Sequence, residues 1–545
     1  MKGTRKRLYF LHRWTGLSLA LLGILVFFSG ALVTFHEELE AWATRGDRIA
    51  PLTQIANFNL DQTWFVAKQG VSAEYLHQVD ITRHPHGPLS FFMHKHVTNN
   101  GQVSEFGVYR VVDPRTGKLL VSRTGPRATV TTPLPRSALA HFFVQLHTVL
   151  LLPRTLGLIA TGLVGFGLTL LIGTGTLVHR PTWSKLVAIP RTHRLRLWFG
   201  DLHRQLGSWT LPYTAILALT GTFFSLATTV LIPVLALVAF NGDQSALIQV
   251  LVGKSEVSQS SAVASLDPML RDASSRTDNG NLRFLFLEHW GEQDASAVFF
   301  MRKPNALGDL DLNHVYDGHS GEFLHTKPRL GTTASLGGSL FKLMGDLHYG
   351  TLLGTLTKVL WSLCGLATCL IACSGLLVFI ARSADTRHPG VSVVRWMTST
   401  LAGGLPLATA AVALTWVFSC MLDAPDPTGS MTWVFLLALA FTGICGALLD
   451  VGTTVTLSWA GAALAFLALP FVGPLATGQD MVGAWTTPAI RSTVAVDIGF
   501  LTLALGFGLA AWLLRERAAQ LSSSSAAERG TPHLPTRPKQ DVGCK

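Results

Sequence analysis

The sequence predicts an α-helical integral membrane protein of about eight transmembrane helices, with an internal duplication in the first four and two external α+β segments. Three observations carry this. Only 14% of the 545 residues are charged, against roughly 25% in soluble domains, and mean hydropathy is +0.37. Charge-free apolar runs recur at close to the roughly 20 residues that cross a bilayer as a helix. A set of short histidine and glycine motifs also occurs twice, at an offset of 191 residues from His12 to His203 and 201 from His147 to His348. This composition excludes a mainly disordered chain, a coiled coil and a disulfide-stapled secreted fold. The net charge of +11 is a matter of where the bases lie, and no nucleic acid is expected as a partner.

The apolar runs are Trp14–Phe35, Leu156–Val178, Ser208–Phe240, Val359–Ile380, Trp396–Leu422, Pro427–Leu449, Val451–Gln479 and Ile498–Leu514. The first follows Lys2, Arg5, Lys6 and Arg7. Its core is longer than that of a signal peptide and no small-residue cleavage site follows, so it is expected to be an uncleaved anchor. Basic residues set the orientation. Arg180, Lys185, Arg191, Arg194, Arg196 and Arg204 lie between the second and third runs, Arg382, Arg387 and Arg395 follow the fourth, and Arg515 and Arg517 follow the last. The connection holding Asp423 and Asp426 has no base. The positive-inside rule then puts both termini in the cytoplasm.

The expected division is a first helix in 1–36, an external segment at 37–140, two helices in 141–240, a second external segment at 241–345, a fourth helix in 346–385, four added helices in 396–514 and a disordered cytoplasmic tail at 515–545. Five of the six cysteines (Cys364, Cys369, Cys373, Cys420 and Cys445) lie in or beside helices, and Cys544 is in the tail. No disulfide framework, C-x-x-C-H haem attachment or zinc spacing is present.

The repeat is specific. His12-Arg13-x-x-Gly16 leads to Ser29-Gly30, and His203-Arg204-x-x-Gly207 leads to Thr220-Gly221, each glycine eighteen residues after its histidine. Leu146-His147 precedes a helix ending Gly175-Thr176-Leu177-Val178, and Leu347-His348 precedes one ending Gly375-Leu376-Leu377-Val378. The external segments share a strand–turn–strand pattern, Asp113 to Leu119 and Asp317 to Phe323, with a D-x-x-[ST]-G turn. Such duplication implies two related halves about a pseudo-twofold axis.

Ionisable residues at membrane depth are costly and point to function by default. A lone histidine is more often a hydrogen-bonded interface residue, but an axis that relates His12 to His203 and His147 to His348 brings each pair together. Two facing imidazoles are a bis-axial ligand set for haem iron, needing no cysteine. Zinc is disfavoured, since it takes four ligands. Gly16 and Gly207, and at the other helix ends Gly30 and Gly221, leave room for a porphyrin face or are simply small-residue packing. Arg13, Arg204 and Arg180 are candidate propionate partners or plain cytoplasmic anchors. Arg154 and Lys358 lie seven and ten residues beyond His147 and His348, roughly 10–15 Å further along a helix, which implies either a shallow outer haem or bases that reach its propionates. His36, His141 and His179 compete as ligands. Externally, His84-x-His86 and His94-x-His96 each present two imidazoles on one face of a strand, as substrate or metal contacts or as a solvated face. His314, His319 and His325 form a looser set.

With these residues in view, the chain resembles the PepSY-associated transmembrane family. The resemblance rests on Leu11-His12-Arg13-Trp14, Ser29-Gly30, Asp113 to Leu119, Leu146-His147, Asp201 to Arg204, Thr220-Gly221, Asp317 to Phe323 and Asp346-Leu347-His348. It covers roughly residues 5–385. It implies two periplasmic α+β PepSY-like domains on a multi-pass protein of the bacterial inner membrane. It further implies two b-type haems held by membrane histidines, and a periplasmic ferric-siderophore or other metal chelate as electron acceptor. No G-x-G-x-x-G or P-loop is present, so the donor is expected to be a cytoplasmic reductase or membrane quinol. The alternative is a non-redox PepSY membrane protein acting as a sensor or peptidase regulator, with structural histidines. A transporter is third, lacking paired acidic residues for ion coupling. The four added helices depart from the family pattern. No histidine lies between Pro389 and Pro532, so they cannot ligate haem and are expected to be a separable packing or docking module.

Overall fold

The computed structural model describes residues 2–48, 59–84, 87–99, 102–178, 195–239, 241–242, 261–303, 311–327, 335–383, 389–488 and 490–530. The elements are α1 (Lys2–Val33), α2 (His36–Ala43), α3 (Leu60–Lys68), β1 (Gln78–Arg83), β2 (Leu89–Asn99), β3 (Gln102–Asp113), β4 (Lys118–Pro126), α4 (Arg127–Val130), α5 (Ala138–Val149), α6 (Arg154–Val178), α7 (Leu195–Trp209), α8 (Leu211–Leu226) and α9 (Ile232–Ala239). They continue as α10 (Leu266–Arg276), β5 (Asn281–Glu288), β6 (Ser296–Arg302), β7 (Asp311–Asp317), β8 (Phe323–Lys327), α11 (Leu336–Tyr349), α12 (Thr355–Arg382), α13 (Pro389–Met421), α14 (Pro427–Leu448), α15 (Val451–Thr477), α16 (Met481–Thr486) and α17 (Val494–Gly530).

Among the described residues, seven helices are long and apolar enough to cross a membrane, and α8 with α9 makes an eighth when counted as one bent span. The third run thus differs from the straight helix expected: its axis turns by 51° across a π-turn at Ala227–Leu231. Pro233 lies just beyond; it has no N–H for the carbonyl four residues back, and such a gap is a common cause of a kink.

The histidines of the second motif sit on their own short helices rather than on the spans. α5 ends at Leu150 in the left-handed region (φ 55°), and Pro153 prevents its continuation. α11 ends at Gly350 (φ 68°), where a residue without Cβ adopts this conformation at no steric cost. Each helix then folds back on the next. Thr161 Oγ1 donates to the Thr148 carbonyl at 3.2 Å, and Trp361 Nε1 to the Leu347 carbonyl at 2.7 Å. In one straight helix those partners would be roughly 20 Å apart. The expectation that Arg154 and Lys358 lie further along the histidine-bearing helices is therefore corrected: both lie past a hairpin bend.

The two external segments, expected as two domains, contribute four strands each to a single antiparallel sheet of order β4-β3-β2-β1-β5-β6-β7-β8. β1 and β5 pair edge to edge from Gln78 opposite Glu288 to Thr82 opposite Phe284. Pairing hides two edges that would otherwise template aggregation. One face carries Val79, Ile81, Phe91, Met93, Leu285, Leu287, Phe299 and Met301, buried beneath Leu60, Trp64, Leu266 and Leu270 of α3 and α10. The two helices cap each other: Asp61 accepts from the Leu266 and Asp267 amides at 2.8 and 3.2 Å, and Asp267 accepts from the Leu60 amide at 2.7 Å. On the opposite face one side chain reaches the helical bundle. Arg302 on β6 donates to Glu37 of α2 at 3.4 Å, and Lys358 of α12 reaches Glu37 at 3.2 Å and Glu38 at 2.8 Å.

The added helices are not a separable module. Trp42 is fully buried and donates to Asp497 of α17 at 2.7 Å. Arg45, equally buried, pairs with the same carboxylate at 2.5 Å. Trp416 of α13 packs on Trp42 with ring centres 5.4 Å apart, and one apolar core joins α1, α2 and α5 to α13, α14, α15 and α17. The last helix also runs to Gly530, through the first half of the stretch expected to be disordered from 515.

Candidate functional site

The duplicated histidines meet in pairs. His12 on α1 and His203 on α7 stand with ring centres 6.2 Å apart at 83°. His147 on α5 and His348 on α11 stand 6.5 Å apart at 36°. Transition-metal–imidazole bonds are about 2.0 Å long, so two rings on opposite sides of one ion stand roughly 6 Å apart centre to centre. Both pairs have that spacing. Along α1, His12 and Gly30, which lies against His147, are eighteen residues apart, or about 27 Å at 1.5 Å per residue. One pair therefore occupies each end of the bundle.

Each ring is seated by a Ser/Thr-Gly dipeptide on a neighbouring span. Ser29-Gly30 of α1 receives His147, Thr174-Gly175 of α6 receives His12, Thr220-Gly221 of α8 receives His348, and Ser374-Gly375 of α12 receives His203. A Cβ at Gly30, Gly175, Gly221 or Gly375 would lie 3.0, 3.2, 3.4 and 3.2 Å from the Cε1 of its histidine. A side chain at Gly30, Gly175 or Gly375 would crowd its ring, whereas at Gly221 the contact is ordinary.

The hydrogen bonds select one tautomer in all four rings. His147 Nδ1 faces the Val26 carbonyl at 3.1 Å and His203 Nδ1 the Ile371 carbonyl at 2.9 Å. A carbonyl only accepts, so both nitrogens carry hydrogen. His12 Nδ1 faces Thr174 Oγ1 at 3.0 Å, and His348 Nδ1 faces Thr220 Oγ1 at 2.9 Å. Both hydroxyls already donate to helix carbonyls, Leu170 and Ile216, at 2.7 Å, and therefore accept from the rings. Neutral imidazole with Nδ1–H keeps its metal-binding lone pair on Nε2, the arrangement by which second-shell hydrogen bonds orient metal-ligating histidines. The donor set fits haem: two neutral nitrogens per site, held in orientation, with no competing thiolate or carboxylate in either pair.

The remaining sequence candidates are placed as follows. Gly16 and Gly207 are not the cradle glycines; a Cβ at Gly16 would meet Leu171 at 3.6 Å, and one at Gly207 nothing within 4 Å. Arg13 lies over Trp14 and Phe379, and Arg204 pairs with Asp201. Lys358 is engaged by Glu37 and Glu38. Of the competing histidines, His36 donates Nδ1 to Val33 at 2.9 Å and His141 pairs with Gln145 at 3.2 Å; His179 lies outside the described residues, as do Arg180 and His86. His84 is half-buried, and its buried Nε2 is without a hydrogen-bond partner among the described residues. His94 and His96 do share a strand face, with rings 5.6 Å apart. His314 is buried between Thr277 and Thr326 at 3.0 and 3.1 Å, His319 faces the Ala262 carbonyl at 2.7 Å, and His325 is exposed on β8. Sequence reasoning missed Thr174, Ser374, Gly175 and Gly375 as seats. The signal was a [ST]-G dipeptide in each of the four spans, although Thr15-Gly16 and Thr161-Gly162 repeat it without seating a ring.

Comparison with known proteins agrees with this architecture. Aligned over 374 residues, the chain is 25% identical to PA4219, an uncharacterized protein of Pseudomonas aeruginosa, with 66% of this chain and 84% of that protein covered. The model of the PepSY-associated TM region matches residues 9–382, the stretch that holds all four paired histidines and every strand, and the chain belongs to that family.

Proposed function

We propose that the chain is a di-haem b oxidoreductase of the bacterial inner membrane, with both termini cytoplasmic. It takes electrons from a cytoplasmic reductase or from quinol and delivers them to a periplasmic ferric-siderophore. The carrying observation is the two histidine pairs, one at each end of the bundle, with all four rings in the Nδ1–H tautomer. His12 with His203 and His147 with His348 would be the axial ligands. Bound haem supplies a one-electron carrier at each pair. The Ser/Thr-Gly seats hold each imidazole in orientation. The sheet above the His147–His348 pair provides the surface on which a chelate would dock. One electron converts Fe(III) to Fe(II), which the hard oxygen ligands of a ferric chelator hold less well, and iron is released without any covalent intermediate.

The test is a reduced-minus-oxidised spectrum of the purified protein, followed by anaerobic vesicles in which the reduced protein meets a ferric-siderophore. A b-type spectrum, reoxidation and trapped ferrous iron are expected. Reoxidation without ferrous iron points to another acceptor. A colourless, haem-free protein overturns the reading in favour of a sensor or peptidase regulator.

A further inference from the structure

We propose that His94, His96 and Glu105 form a binding site for a divalent first-row transition-metal ion, on the sheet face turned toward the helical bundle. The inference is independent of the redox reading. On paired strands β2 and β3, Glu105 lies directly opposite His96, and Gly107 opposite His94. The period of two puts all three side chains on one face. It is the face of Phe92 and, through the β1–β5–β6 register, of Arg302, which meets Glu37. The nearest ligand atoms of the three residues lie within 4.8 Å of one another, with Glu105 Oε1 3.8 Å from His96 Nε2 and 4.0 Å from His94 Nε2. An ion with bonds of about 2.0–2.2 Å draws its ligands to roughly 3–3.5 Å of one another, a closure that side-chain torsions of His96 and Glu105 can supply.

The surroundings are organised as they are around metal ligands. His94 is 5% exposed and stacks on Phe92 with centres 4.8 Å apart and planes 10° apart. Its Nδ1 faces the Phe92 carbonyl at 3.3 Å, so it carries the hydrogen and leaves Nε2 the lone pair. A Cβ on Gly107 would collide with the Met93 carbonyl oxygen and stand 2.7 Å from His94 Cα, so the glycine lets β3 approach β2 closely beside His94. Arg127 holds Glu105 Oε2 at 2.5 Å and Asp80 at 2.5 Å, directing Oε1 toward the imidazoles. His96 is half-exposed, so further coordination positions open to solvent and the ion can exchange. Two imidazoles and one carboxylate with open positions suit Fe(II), and also Zn(II) and Mn(II).

The test uses the full chain in lipid nanodiscs, dialysed to equilibrium against Zn(II) and assayed by elemental analysis beside haem content. Wild type is expected to hold one zinc that H96A and E105Q each weaken at least tenfold. H289A, in the separate cluster of His289, Glu292 and Asp294, is expected to keep it. His96 is half-exposed, so H96A is expected to fold, and an unchanged melting temperature checks this. Absence of zinc from wild type, or equal zinc affinity in wild type, H96A and E105Q, overturns the site. Haem content is read separately, so either result leaves the histidine-pair assignment to its own test.

Discussion

Gly30→Ala and Gly221→Ala are the same substitution on opposite sides of one histidine pair, and the structure predicts opposite signs. The new methyl at position 30 would stand 3.0 Å from His147 Cε1 and 3.4 Å from its Nδ1. That is inside ordinary carbon contact, and the ring is already held by Val26 and Ser29. Overpacking of this kind costs about 1–3 kcal/mol. Replacing a helical glycine by alanine returns roughly 0.8–1.0 kcal/mol, so the net is a loss of up to about 2 kcal/mol. At position 221 the nearest atom is His348 Cε1 at 3.4 Å, an ordinary contact, and the helix gain of up to about 1 kcal/mol stands alone. Thermal unfolding in detergent reads the signs. On the proposed di-haem reading, the optical spectrum also reads the site, with a displaced His147 altering one population in G30A and none in G221A. Destabilisation by G221A equal to or larger than that by G30A would refute the cradle argument, as would a G30A protein indistinguishable from wild type by both measurements.

Three further outcomes are expected. His203→Ala should abolish one haem population or convert it to high spin while leaving the other; two unchanged low-spin populations would contradict the pairing with His12. Asp497→Ala leaves the buried Arg45 guanidinium and the Trp42 N–H without their acceptor and should cost about 3–5 kcal/mol in thermal unfolding; a loss under about 1 kcal/mol would show that the added helices are loosely attached after all. Burial works to raise the pKa of Glu37, but Lys358 and Arg302 outweigh it and hold the carboxyl at about 2, below its ordinary 4.5. Its contribution is therefore fully present above the ordinary value and is lost as pH falls through about 2. Glu37→Gln should flatten the acid limb of a melting-temperature profile in that window, and an unaltered limb would count against the network.

Membrane residence, the spans and the duplication were legible in the chain because lipid enforces them locally. Charge-free runs of spanning length and a motif repeated at near-constant offset need no knowledge of the fold. The pairing of His12 with His203 and of His147 with His348 followed from the same duplication, since a twofold axis brings equivalent residues together. Everything that depended on which neighbour a side chain meets was decided in three dimensions. The glycines that seat the rings lie on other helices, so Gly16 and Gly207, one turn from their histidines in sequence, were the wrong ones. A hairpin bend made a linear extrapolation along the helix fail at Lys358. Glu105 completes a histidine cluster only through the β2–β3 register, and Asp497 reaches Arg45 across 452 residues. The two external segments look like separate domains because each carries its own strands and turn. They become one sheet because the free edges of β1 and β5 have backbone groups that only each other's strands satisfy.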